Sequence, residues 1–219
     1  LRPVGFGEPV RLGGNLTAAF HPGGHILGAA WIQIDAAGRR ITFSGDLGRT
    51  NDPVMNPPRA LQRTDYLIVE STYGDRRHAR QAPLQALRGI VNQTVRRNGI
   101  LLIPSFAVGR AQTLLHLLAT LRRTDAIPDV PIFLNSPMAI NATDIFCDHA
   151  DEHRLSPDAC QTMCAVAEYV NSADDSRALN RRTGPMIVLS ASGMATGGRV
   201  LHHLAQRMGD TAPPQVVAR

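Results

Sequence analysis

Three times in the second half of the chain, a short uninterrupted apolar run gives way to a turn of small residues and then to a helical pattern. Ile100-Leu101-Leu102-Ile103 leads through Pro104-Ser105 and Gly109-Arg110 into Leu114, Leu115, Leu117, Leu118 and Leu121. Ile132-Phe133-Leu134 leads into Asn135-Ser136-Pro137-Met138. Met186-Ile187-Val188-Leu189 leads through Ser190-Ala191-Ser192-Gly193-Met194 and Gly197-Gly198-Arg199 into Val200, Leu201 and Leu204. An apolar run without alternation is the pattern of a strand covered on both faces, which a parallel sheet flanked by helices provides. The repetition predicts an α/β chain with a mainly parallel sheet, and in such sheets ligands gather outside the strand C-termini. Helix N-termini at that edge present free backbone amides to anions. Ser105, Arg110, Ser192, Gly193, Met194 and Arg199 are accordingly the candidate substrate-binding residues, although glycine at a strand-to-helix junction also serves purely steric needs.

The first eighty residues have a different texture. Val10, Leu12, Leu16, Ala18 and Phe20 alternate across Gly13-Gly14-Asn15, and Trp31, Ile32, Ile34, Ile41 and Phe43 flank the turn Ala36-Ala37-Gly38-Arg39. Antiparallel hairpins are predicted as far as Asp46. They would bring His25, in the glycine-rich turn after Phe20, and Asp46, after Phe43-Ser44-Gly45, to the same end of a sheet. Imidazole nitrogen and carboxylate oxygen are both good ligands for zinc, while ordinary turn chemistry accounts for the same two residues without any metal. Residues 47 to 58, with Asn51-Asp52-Pro53 and Asn56-Pro57-Pro58, read as an irregular connection. Tyr66-Leu67-Ile68-Val69 reads as a strand buried on both faces that delivers Glu70 to a sheet edge, either as part of a site or as a partner of Arg76, Arg77 or Arg80. Leu84, Leu87, Ile90, Val91 and Val95 then predict a helix ending at Asn98-Gly99.

Elsewhere the sequence points to packing. Residues 139 to 180 read as mostly helical and polar, without chemistry. Cys147, Cys160 and Cys164 lack zinc-finger spacing and suit reduced core thiols, with Cys160 and Cys164 one helical turn apart. His202-His203 fits a helix flank, and His78, His149 and His153 have no partner at ligand spacing. No apolar run approaches the roughly 18 residues a membrane helix needs, and the first residues lack a signal-peptide pattern, so a cytoplasmic protein with no membrane partner is expected. The net charge is +5 and all 23 basic residues are arginine, the better side chain for bidentate phosphate recognition, which favours a polyanionic partner.

Taken together, several stretches resemble the β-CASP branch of the metallo-β-lactamase superfamily, RNA-processing nucleases of the RNase J and pre-mRNA cleavage endonuclease type. They are Gly-Gly-His-Ile-Leu-Gly-Ala-Ala around His25, Ser-Gly-Asp-Leu-Gly-Arg around Asp46, and Val-Glu-Ser-Thr-Tyr-Gly-Asp around Glu70. Ile-Pro-Ser-Phe-Ala-Val-Gly-Arg-Ala-Gln (103–112), Asn-Ser-Pro-Met-Ala (135–139) and Ala-Ser-Gly-Met-Ala-Thr-Gly-Gly-Arg-Val-Leu-His-His-Leu (191–204) follow in the family's order. The resemblance implies a fold in two parts. Residues 1–80 would be the C-terminal part of the first metallo-β-lactamase half, an αβ/βα sandwich, and residues 81–219 most of the inserted β-CASP α/β domain. It implies that His25 and Asp46 are metal ligands, Asp46 bridging two zinc ions, and that Asp46 and Glu70 are catalytic, Glu70 supporting a histidine that assists the leaving group.

The resemblance also marks what this chain lacks. The family's His-x-His-x-Asp-His motif is nowhere in the 219 residues and would precede Leu1, and two later histidines would follow Arg219. The expectation is an internal fragment, inactive and weakly zinc-binding alone, of a ribonuclease that hydrolyses RNA phosphodiesters with a water activated by two Zn²⁺ ions. RNA would lie between the two domains, and a homodimer or an RNA-processing complex is left open. Two other functions compete: a catalytically inactive β-CASP subunit that binds RNA or serves as a scaffold, and a small-molecule hydrolase of the metallo-β-lactamase fold. The second explains His25 and Asp46 but neither Glu70 nor the three parallel-strand turns.

Overall fold

The computed structural model describes residues 2–77, 82–208 and 215–216. His78 and Arg80, weighed above as a lone histidine and an ion-pair partner, lie outside the described residues. The chain splits into two compact units, Leu1–Ala79 with Asp151–Arg154, and Arg80–Ala150 with Leu155–Arg219.

The first unit is a sheet in the order β1-β2-β3-β4-β5. Its strands are β1 (Val10–Gly13), β2 (Leu16–Pro22), β3 (Ala30–Ala36), β4 (Arg39–Phe43) and β5 (Tyr66–Ile68). The first four pair antiparallel and β5 adds parallel to β4, with Ile41 opposite Tyr66 and Phe43 opposite Ile68. Ala37 and Gly38, both at positive φ, form the two-residue turn that sets Ala36 opposite Arg39, the geometry whose twist suits a tight hairpin. Trp31 and Ala18 are buried in this unit, as is His21, whose ring stacks on Trp31 at 4.0 Å. Val54 and Met55 close the same unit, where Met55 bridges to His153 and the Val54 carbonyl accepts from the Arg154 amide.

One expectation is overturned here. Tyr66, Leu67, Ile68 and Val69 are not buried on both faces but are all exposed. An apolar run reports a tendency to be covered; it does not say by what, and β5 is the edge strand of its sheet with nothing among the described residues beyond it.

The second unit is an all-parallel sheet in the order β10-β6-β9-β7-β8, flanked by helices. In chain order it contains α1 (Pro83–Arg96), β6 (Ile100–Pro104), α2 (Arg110–Arg123), β7 (Ile132–Asn135), α3 (Pro137–Asp148), α4 (Pro157–Ala165) and β8 (Glu168–Tyr169). It continues with α5 (Ala173–Arg181), β9 (Met186–Ser190), α6 (Arg199–Arg207) and β10 (Gln215–Val216). The α/β class and the mainly parallel sheet are as expected, and the three central strands are the three continuous apolar runs, buried along almost their whole length. Leu102, Phe133, Met186, Val188 and Val200 form one core cluster with Val170 and Leu179. Local sequence signals start the helices. Pro follows the N-cap in α1, α3 and α4, and Ser136, Ser156 and Ser172 each accept a hydrogen bond from the backbone amide three residues on.

Candidate functional site

In the first unit β2 and β4 run in the same direction, because each is antiparallel to β3, and β5 is parallel to β4. The segments that follow Pro22, Phe43 and Ile68 therefore leave the sheet at one edge, and they carry His25, Asp46 and Glu70. Backbone contacts bind these segments together. The Gly23 amide donates to the Ala29 carbonyl (2.7 Å), closing the turn that holds His25, and the Gly48 amide donates to the Gly23 carbonyl (2.8 Å). The approach is so close that a Cβ on Gly48 would fall 1.8 Å from the Gly24 oxygen and 2.8 Å from the His25 nitrogen. Only glycine permits it, and this is why the Asp-Leu-Gly sequence belongs beside the Gly-Gly-His turn.

Glu70 ties the third segment to the second. Its Oε1 accepts from the Leu47 amide (3.0 Å) and its Oε2 from the Thr72 amide (3.3 Å), while its own amide donates to Ser44 Oγ (2.9 Å). The Leu47 amide, then the Thr72 hydroxyl, hold its carboxyl below the usual carboxylate range, and the charge of nearby His25 acts in the same direction. Glu70 is thus ionised and bonded to the residue next to Asp46. Of the alternatives weighed from sequence, its hydrogen-bond partners among the described residues are the Leu47 and Thr72 amides rather than Arg76 or Arg77. Ser44 and the Leu47 amide escaped sequence reading, since their roles depend on a strand more than twenty residues away.

His25 and Asp46 are exposed at this edge. Their donor set, one imidazole and one carboxylate, is chemically suited to zinc. Among the described residues no group of three or more His, Cys, Asp or Glu side chains converges to hold a metal, so the two fit as part of a ligand set and fall short of a whole one.

The second unit brings the turns after β6, β7 and β9 to one edge of its parallel sheet. The Ser105 amide donates to the Ser190 carbonyl (3.0 Å), and a Cβ on Gly193 would lie 2.8 Å from the Phe106 nitrogen, so these two turns pack backbone to backbone. Buried Gln112 locks the first turn. Its Oε1 accepts from the Gly109 amide (2.7 Å), and its Nε2 donates to the Ala107 carbonyl (3.1 Å) and Thr143 Oγ1 (2.9 Å). Arg110 and Met194 are exposed, Ser192 and Gly193 half-buried, and Ser105 buried.

Arg199 is heavily engaged. It donates from Nη1 to Asn135 Oδ1 (2.8 Å) and the Val170 carbonyl (2.9 Å), and from Nη2 to the Asn171 carbonyl (2.7 Å). Asn135 donates in turn to Ser176 Oγ (2.8 Å) and to His203 Nε2 (2.5 Å), and His203 Nδ1 meets Asn180 Oδ1 at 2.6 Å. These partners assign the proton of His203 to Nδ1. Burial, with Arg207 adding to it, holds the ring down to about 4, so it is neutral. His202 and His203 both lie on the helix Arg199–Arg207; His202 is exposed, and His203 is buried, where α5 and β7 supply partners for both ring nitrogens.

Residues 111–212 match the Beta-Casp domain. The chain belongs to the β-CASP family. Among its curated relatives, "Ribonuclease TTHA0252" of Thermus thermophilus is 38% identical over 219 residues, covering 96% of this chain and 50% of the relative. The "RNase J-like protein" of Methanocaldococcus jannaschii is 31% identical over 204 residues, covering 87% and 46%. "Endoribonuclease YSH1" of Saccharomyces cerevisiae is 32% identical over 214 residues, covering 90% and 26%. The chain spans about half the length, or less, of the curated relatives it matches. Among the described residues no helix is long and apolar enough to cross a membrane.

Proposed function

We propose that the protein containing this chain is a zinc-dependent ribonuclease that hydrolyses RNA phosphodiester bonds, with His25 and Asp46 among its metal ligands. The observation that carries the proposal is the convergence of His25, Asp46 and Glu70 on one sheet edge, in a member of a family whose relatives bear the names ribonuclease and endoribonuclease. When bound, zinc would supply the Lewis acidity that makes a water nucleophilic near neutral pH.

The chain's own residues would do the rest. The Asp46 carboxylate and one imidazole nitrogen of His25 would hold the cation side of the site. Glu70 acts as a positioning residue, because its ionised carboxylate fixes the Leu47 amide and with it the backbone beside Asp46. At the edge of the parallel sheet, exposed Arg110 contacts phosphate, with the turns of Ser105 and of Ser192-Gly193-Met194 offering backbone amides. Arg199, with three acceptors already at the ends of β7 and β8, adds positive field.

The test is metal content. The full-length protein is expected to retain zinc through gel filtration, and His25→Ala to lose at least part of it together with RNA cleavage. Residues 1–219 alone are expected to retain little. Full zinc occupancy in the His25→Ala protein, or tight stoichiometric zinc in the 219-residue chain, would contradict the ligand assignment.

A further inference from the structure

The three cysteines of the chain, expected to be reduced core thiols, meet in one place. Cys147 lies near the end of α3, and Cys160 and Cys164 sit one turn apart on α4, on the same face of that helix. Cys147 Sγ is 2.6 Å from Cys164 Sγ and 2.8 Å from Cys160 Sγ. Cys160 is buried and the other two are half-buried. The Tyr169 hydroxyl is buried beside Cys164, and burial raises it above the ordinary phenol range.

Three roles are open to such a cluster. Plain packing of thiols as small hydrophobes would place the sulfurs at ordinary non-bonded separations of about 3.5–4 Å, wider than those observed. A metal site would need a convergent ligand set, and none is found among the described residues. A covalent bond asks least, since a disulfide is about 2.05 Å long and either pair closes by under about an ångström.

We propose that Cys147 is the shared partner of a reversible disulfide, formed with Cys164 or with Cys160, that ties α3 to α4. With a small-molecule disulfide RSSR as oxidant, the Cys147 thiolate attacks one sulfur of RSSR and expels RS⁻, which takes up the proton Cys147 lost. The Cys164 thiolate then attacks the Cys147 sulfur and expels the second RS⁻, which takes up the proton of Cys164. Two protein thiols are oxidised, one RSSR is reduced and two RSH leave. Attack of Cys160 on the Cys147 sulfur releases the Cys164 thiolate and moves the bond without net oxidation. Burial, reinforced by the neighbouring thiols, pushes Cys147 well above the ordinary thiol range, and burial raises Cys160 as well. Closure is therefore slow at neutral pH and accelerates about tenfold per pH unit as thiolate forms.

Peptide-resolved mass spectrometry tests this on the full-length protein. The protein is treated with oxidised glutathione, unreacted thiols are blocked with N-ethylmaleimide in denaturant, and the digest is left unreduced. The expected result is a fall from three to one in blockable thiols among these cysteines, with Cys147 linked to Cys164 in some molecules and to Cys160 in others. Cys160→Ser should leave only the first link, Cys164→Ser only the second, and Cys147→Ser neither. Three blockable thiols after oxidation, glutathione adducts without a cross-link, a Cys160–Cys164 link, or a thiophilic metal ion that protects all three until chelated would each overturn the proposal. The wild-type measurement decides even if a variant misfolds.

Discussion

Gly48 shows how a single residue can hold the candidate site together. The missing Cβ lets the Asp46 segment hydrogen-bond to the His25 turn, and Gly48→Ala must push the two apart. The expected cost is about 1–3 kcal/mol in denaturant midpoint measurements, with loss of cleavage in the complete protein because His25 and Asp46 no longer share an edge. His203 is the residue whose protonation should be visible in stability. Its ring is held down to about 4 against an ordinary 6.5, so the unfolded chain binds the extra proton first. The stabilisation is fully present above about 6.5, falls as the pH drops towards about 4, and is constant below that. The full effect is about 3 kcal/mol, and His203→Gln should flatten this segment of a stability-versus-pH curve measured by urea unfolding.

At the scale of elements, what could be read from the sequence was whatever is local. The runs at 100–103, 132–134 and 186–189 are strands because nothing polar interrupts them, and Ser136-Pro137 starts α3 because its hydroxyl caps an amide three residues away. The two-residue strands β8 and β10 carry too little pattern to be recognised, and each exists only because a longer parallel strand is beside it. The thiol cluster and the His203 network were likewise illegible, since Cys147 meets Cys160 and Cys164 from another helix and Asn180 belongs to α5. β5 was misread for the same reason: its apolarity is local and its lack of cover is not. An exposed apolar edge strand invites pairing with another chain. Residues 1–219 alone should therefore self-associate, and Leu67→Lys should shift the population towards monomer in sedimentation velocity. A concentration-independent monomer before the substitution would contradict this.

Across the whole molecule the chain carries two kinds of equipment: a sheet edge with His25, Asp46 and Glu70, and a parallel-sheet edge whose turns and Arg110 suit phosphate. The second was legible as three repeated turns, the first only through the wording around its residues, because one histidine and two carboxylates are common in any chain. If Arg110 neutralises one phosphate, Arg110→Ala should weaken RNA binding across sequences and reduce the slope of log affinity against log salt by about 1. The most direct test of the account is cleavage of end-labelled RNA by the full-length protein, comparing wild type with Asp46→Ala while RNA binding is measured on the same preparations. The account predicts that Asp46→Ala abolishes cleavage and leaves binding within a few fold; turnover unchanged by the substitution would contradict it.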